Sequence, residues 1–355
     1  METNMDMKEI LSGSMARGGS DIFLLPGAPI SMKINGEVAP LFDGVQTPDD
    51  TERIAKEIYS TSGRDMERLY RTGDDDFSFS LRGVGRFRCN AYRQRNSLAM
   101  VLRVVSFSLP SAEQMKIPEQ VMRLGDVRKG LILITGPAGS GKSTTLACLI
   151  DRINTCYADH IITIEDPIEF MHPHKKSIVS QREIEHDTET YGSALRAALR
   201  QAPDVILLGE MRDFETIQTA LTAAETGQLV LSTLHTVGAA KTIDRIIDVF
   251  PPNQQQQIRM QLSLVLRAVV SQQLVPAING TMTPAFEIML ANTAIRNMIR
   301  ESKIPQMDNV LRAEGEAGMQ TMDSDLMRLY RSGEISRENC YLYASNQELM
   351  AKSLN

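Results

Sequence analysis

The spacing of apolar residues changes character along the chain. In the first hundred residues, short runs alternate at period two. Phe77, Phe79 and Leu81 share one face, a Gly83-Val84-Gly85 turn follows, and on the return run Phe87, Cys89 and Ala91 oppose Arg86, Arg88 and Asn90. Further extended runs are expected at 21–25, 31–34 and 98–105, the last with Arg103 among apolar neighbours. Helices are expected over 7–17, ended by Gly18-Gly19, and from Thr47-Pro48-Asp49-Asp50 towards Tyr59, where Thr47 serves as N-cap and Pro48 opens the first turn. The pattern is that of a small α+β domain over 1–107. Several arginines stand on its β surface with no acidic partner evident.

From Lys129 onward strands and helices alternate. Residues 131–134 lead into a Gly-rich turn and the helical stretch TTLACLI, 160–164 into EDPIE, 205–208 into Gly209-Glu210, and 229–233 into Leu234-His235-Thr236. The helix between the last two strands has Asp213 near its start and Gly227 just past its end. Such alternation predicts a mainly parallel sheet with helices on both faces. In those sheets ligands sit at the carboxyl ends of the strands, where all four motifs fall. After Asn253 the pattern predicts mostly helix, with one strand at 285–290. Residues 108–128, with Pro110, Pro118 and weak periodicity, read as an interdomain linker, and 129–355 as the larger domain.

Composition narrows the class. A length of 355 residues suits two domains, and 42% hydrophobic with 23% charged residues is ordinary for a globular chain that buries a sizeable core. The net charge of −6 supplies no global basic field, so a nucleic-acid partner is not expected. Cys89, Cys148, Cys156 and Cys340 are scattered without a CxxC pair, which favours a reducing compartment over a structural zinc. The opening METNMDMKEI lacks the layout of a signal peptide, and no apolar run approaches the roughly 18 residues of a spanning helix. A cytoplasmic protein is expected.

The chemistry centres on Gly136-Pro137-Ala138-Gly139-Ser140-Gly141-Lys142-Ser143, between an apolar strand and a helix. That order is the context of the P-loop signature. Its glycines let the backbone wrap a triphosphate, with N–H groups and the helix N-terminus aimed at phosphate oxygens. Lys142 would reach the β- and γ-phosphates, and the Ser143 hydroxyl would ligate Mg²⁺. ATP and Mg²⁺ are therefore the expected ligands. Hydrolysis also needs an oriented water and charge neutralisation. Glu210 ends the strand of VILLGEMRD, with Gly209 in the place where an Asp commonly holds Mg²⁺. Glu165, Asp166 and Glu169 offer three carboxylates beside the phosphate loop, one of them a general base or water-positioner. His235 ends another strand at the same edge, either as a γ-phosphate sensor or as a structural histidine.

The set GPAGSGKSTT, ITIEDPIEF, APDVILLGEMRD and AAETGQLVLSTLHT resembles the secretion ATPase superfamily that powers type IV pili and type II secretion. Within it the chain is most similar to the pilus retraction group, PilT and PilU. AIRNMIRE (294–301) resembles the C-terminal signature of the former, and GGSDIF and LRQAPDVILLGE look like the latter. The resemblance implies a RecA-like P-loop core over 129–355 with a smaller N-terminal PAS-like domain. It implies Lys142, Ser143 and Thr144 as Walker A residues, Glu210 as Walker B acid and Glu169 as catalytic base. Glu165 and Asp166 would support Mg²⁺ or water, and His235 would belong to the His box. Arg86, Arg88 and Arg103 match arginines that approach a nucleotide bound to a neighbouring subunit. A ring-shaped homo-hexamer acting on an inner-membrane platform protein is implied, retraction rather than extension being favoured by the missing N-terminal extension and zinc insertion. Two departures stand out: Gln228 at the first His-box position and Phe23 in place of a histidine. An accessory ATPase acting with a paralogue, or a RecA-like nucleic-acid motor, are the alternatives. For the latter, HPHKKS (172–177) is short and lacks aromatics.

Overall fold

The computed structural model describes residues 6–34, 37–105, 109–313, 315 and 318–354, so the expected boundary at 107–108 lies outside the described residues. The chain divides into two compact units, Met1–Ser108 with Glu169–Met171, and Leu109–Ile168 with His172–Asn355.

The first unit runs α1 (Met7–Arg17), β1 (Asp21–Leu24), β2 (Pro29–Ile34), β3 (Glu37–Val45), α2 (Pro48–Ser62), α3 (Glu67–Thr72), β4 (Asp74–Leu81), β5 (Gly85–Gln94) and β6 (Ser97–Val105). Its strands form a six-stranded antiparallel sheet in the order β3-β2-β1-β6-β5-β4. At the start of α2 the Thr47 hydroxyl accepts from the Asp50 N–H and the Asp50 carboxylate accepts from the Thr47 N–H, a reciprocal cap. The buried face of α2, with Ile54, Ile58 and Tyr59, packs on Phe77, Phe79 and Phe87. The Tyr59 hydroxyl donates to the buried Asp75 at 2.9 Å. The alternation expected on β5 is present, with Phe87, Cys89 and Ala91 fully buried.

Contrary to the sequence pattern, two of the arginines Arg86, Arg88 and Arg103 have acidic partners, and the third has a serine. Arg88 meets Asp76 at 2.5 Å, Arg103 meets Asp21 at 2.8 Å, and Arg86 donates to Ser80 at 3.2 Å. Strand register brings these pairs together. Asp21, Arg103 and Arg88 lie directly opposite one another across β1, β6 and β5, where like charges side by side are costly and opposite charges are drawn together. Partial burial pushes the Asp21 carboxyl up, but hydrogen bonds from Arg103 and Ser20 outweigh it and hold the group below the usual carboxylate range.

The second unit begins with α4 (Glu119–Met122) and a 3₁₀ turn at Arg123–Asp126. Then come β7 (Gly130–Thr135), α5 (Lys142–Cys156), β8 (His160–Glu165), β9 (Ile178–Glu183), α6 (Tyr191–Ala198), β10 (Val205–Leu208), α7 (Phe214–Thr226), β11 (Leu229–Leu234), α8 (Ala239–Asp248), α9 (Pro252–Val265), β12 (Leu266–Pro276) and β13 (Met282–Leu290). Five further helices close it: α10 (Thr293–Arg300), α11 (Met307–Ala313), α12 (Met322–Arg331), α13 (Arg337–Leu342) and α14 (Gln347–Leu354). The sheet has seven strands in the order β13-β12-β7-β11-β10-β8-β9, all parallel except β13. Alternate strand residues feed two cores. Leu131, Leu133, Ile206 and Val230 face α6 to α9, whereas Ile132, Ile134, Leu207 and Leu231 face α5 and α4. Helices therefore cover both faces, as the alternating pattern predicts.

The tail departs from expectation. Beyond Asn253 the sequence pattern suggests helices with one strand. The strand expected at 285–290 is β13, and the departure is β12, which pairs with it as a hairpin and lies beside β7. The run LSLVLRAVV is mostly apolar, broken only by Ser263 and Arg267, and such runs look alike as buried helix or buried strand. Strand β9 was likewise not anticipated.

Candidate functional site

Between β7 and α5 the chain turns through the Gly-rich loop. Gly136 has φ 142°, and a Cβ there would lie 2.1 Å from the Gln272 carbonyl oxygen, so only glycine fits. Gln272, on the neighbouring β12, also accepts from the Thr145 hydroxyl at 2.7 Å. The Lys142 ammonium donates to the Gly136 and Pro137 carbonyls, each at 2.8 Å. Helix α5 starts at Lys142 with no side-chain cap, leaving its first N–H groups to a ligand. The Ser140 hydroxyl is buried with no hydrogen-bond partner. The cradle Gly136–Thr144 thus fits a polyphosphate, with Pro137, Ala138 and Gly139 exposed along its rim.

Two strands away, β10 delivers Glu210. Its side chain is 16% exposed and bridges Arg212 at 2.6 Å and His235 Nε2 at 3.4 Å. Pairing of β10 with β11 sets Glu210 and His235 at one edge, reinforced by the Thr233 hydroxyl donating to the Gly209 carbonyl at 2.6 Å. A cavity of about 390 Å³ opens there, lined by Glu210, Arg212, Thr233, His235, Thr236 and Arg245.

Strand β8 carries the other acids. It pairs with β10, so β10 and β11 separate it from β7, and the acidic loop lies beside Glu210 rather than directly beside the phosphate loop. Glu165 accepts from the Thr163 hydroxyl at 2.6 Å and from Gln181 at 3.3 Å. Asp166 is exposed and joined to Pro167 by a cis peptide, and Glu169 is exposed further along the loop. Tyr191, at the start of α6, was missed by sequence reasoning. A Cβ on Gly209, where a Walker B aspartate commonly stands, would lie 2.7 Å from the Tyr191 hydroxyl and 3.3 Å from the Ile164 carbonyl, so a larger residue there would displace the phenol. Burial first, then the nearby charges of Glu210, Asp166 and Glu165, push the Tyr191 phenol up. Among the described residues no cluster of three or more His, Cys, Asp or Glu forms a ready-made metal cage.

Gln228 lies just before the amino end of β11, seven residues from His235 just past the other end, or about 23 Å along a strand. Its side chain accepts from Thr226 at 2.8 Å. Arg86, Arg88 and Arg103 all belong to the first unit.

Fold and site together define a P-loop ATPase with a RecA-like core and a smaller α+β domain. The family model for "Type II/IV secretion system protein" matches residues 4–340, and the chain belongs to that family. It is 46% identical over 94% of its length to the Type IV pilus retractation ATPase PilT of Pseudomonas aeruginosa, covering 97% of that protein. It is 40% identical over 96% of its length to the Type IV pilus ATPase PilU of the same organism, covering 89% of it. Among solved structures, that of the pilus retraction motor PilT with bound ADP superposes with a TM-score of 0.90 at 46% identity, covering 98% of this chain and 99% of that one.

Proposed function

We infer that the protein is a motor ATPase that hydrolyses ATP to drive type IV pilus retraction. The observation that carries this reading is near full-length likeness to retraction ATPases, joined to a glycine cradle, Glu210 and His235 at one sheet edge. In the cycle, the backbone N–H groups of 136–144 and Lys142 bind and orient the phosphates, with Lys142 exchanging loop carbonyls for phosphate oxygens. Glu169 takes the proton of the attacking water. Ser143 and Glu210, supported by Glu165 and Asp166, would hold Mg²⁺, which when bound neutralises phosphate charge; Mg²⁺ commonly takes one or two carboxylates plus phosphate oxygens. His235, against Glu210, reports the state of the γ-phosphate. Arg86, Arg88 and Arg103 act on the nucleotide of a neighbouring subunit in a homo-hexamer.

The working partner is a platform protein at the cytoplasmic face of the inner membrane, where the ring docks peripherally; among the described residues no helix is long and apolar enough to cross a membrane. A second reading, an accessory ATPase that supports a paralogue, draws on the PilU likeness and on Gln228. A deletion strain tests the first. Loss of retraction and surface motility is expected, and unchanged retraction with no second copy present would refute it.

A further inference from the structure

The edge strand β9 turns two side chains onto the loop that follows β8. Glu183, 2% exposed, accepts from the Ile168 N–H at 3.0 Å. Gln181, two residues earlier and so on the same face of the strand, accepts from the His172 N–H at 2.8 Å. The same Gln181 amide donates to Glu165 at 3.3 Å. The two anchored N–H groups bracket residues 169–171, and Glu169 is the first residue inside the bracket. Beyond it the chain is fixed to the phosphate-loop helix. Asn154 of α5 accepts from the Lys175 N–H at 3.1 Å and donates to the Pro173 carbonyl at 2.7 Å, while Lys175 pairs with Asp151 at 2.6 Å.

We propose that Gln181 and Glu183 are positioning residues for hydrolysis, a clamp that fixes both ends of the Glu169 segment and ties it to Glu165. The proposal rests on the reading of Glu169 as base. One Gln181 amide uses its acceptor for His172 and its donor for Glu165. Through that amide, the first carboxylate of the acidic loop and the far end of the Glu169 segment share one support. Anchors at both ends of the segment help set where an exposed Glu169 carboxylate can reach, and displacement by about 1 Å costs on the order of a hundredfold in rate.

The test uses the full chain with Gln181→Leu, Gln181→Glu, Glu169→Gln and the double variant Glu169→Gln/Gln181→Leu. Gln181→Leu is expected to speed amide hydrogen exchange over 168–172 at least tenfold. It should lower kcat about 10- to 100-fold and leave the Kd for a fluorescent ADP within twofold. Gln181→Glu keeps the acceptor for His172 and loses the donor to Glu165, so exchange stays slow while kcat falls. In the Glu169→Gln background, Gln181→Leu should remove no further turnover, because both act through one group. Wild-type turnover in both Gln181 variants overturns the clamp, as does independent multiplication of the two losses or an ADP affinity that falls in step with kcat. Full turnover in Glu169→Gln alone overturns the base assignment instead, and the exchange measurement then decides whether the clamp exists.

Discussion

Gln272, through its backbone carbonyl, and Tyr191, through its side chain, show how residues outside a motif constrain it. The Gln272 carbonyl sits where a side chain on Gly136 would go, and the Tyr191 hydroxyl where one on Gly209 would go. Neither is visible in the motifs, because the contacts cross from one strand or helix to another. His172 has a different consequence. Burial lowers it to about 4, with Asp151 opposing that shift and Lys175 adding to it, and its Nδ1 has no partner. An unfolded histidine titrates near about 6.5, so the unfolded chain takes up a proton before the folded one. Stability from this group is complete above about pH 6.5 and falls as pH drops towards 4, by about 2 kcal/mol at pH 5. Urea midpoints at pH 7.5 and 5 should therefore converge in His172→Gln relative to wild type. An equal pH dependence in both would contradict this.

At the scale of elements, strand–turn–helix units were the legible part. The apolar runs 131–134, 160–164, 205–208 and 229–233 fall inside β7, β8, β10 and β11, each bounded by polar or glycine signals. The strand expected at 285–290 is β13, but its partner β12 and the edge strand β9 were not legible. In the first, LRAVVSQQLVP, burial runs unbroken from Ala268 to Gln272 across apolar and polar residues alike, so no period-two alternation shows. In the second, IVSQRE, the buried positions are Val179 and Glu183, with polar residues between them. Losing these two elements hid Gln272 and Gln181, both of which reach into the site. The strand order also moved the acidic loop away from the phosphate loop, since adjacency in a doubly wound sheet does not follow sequence order. Gln228 gains its meaning from its element as well. At the opposite end of β11 from His235, it is too distant to touch phosphate. Gln228→His should leave ADP affinity within twofold of wild type by fluorescence titration; a tenfold change would contradict the placement.

At the scale of the whole molecule, the cradle lies in one unit and the three arginines in the other. Each arginine already has a neighbour on its own sheet, so service to a phosphate requires Arg88 and Arg103 to exchange Asp76 and Asp21 for it. If they act across subunits, a protein carrying Arg86, Arg88 and Arg103 all changed to alanine and a Lys142→Ala protein should each be inactive alone. Their mixture should regain turnover, since some interfaces then combine an intact lysine with intact arginines. A mixture as inactive as its parts would place the arginines in cis or outside the reaction. The central claim, hydrolysis at this site with Glu169 as base, is tested most directly by ATP turnover of purified wild type against Glu169→Gln, with particle mass determined in parallel. The account predicts a six-subunit particle in both and loss of at least about a hundredfold in the variant. Equal turnover in the two proteins, or none in wild type, would contradict it.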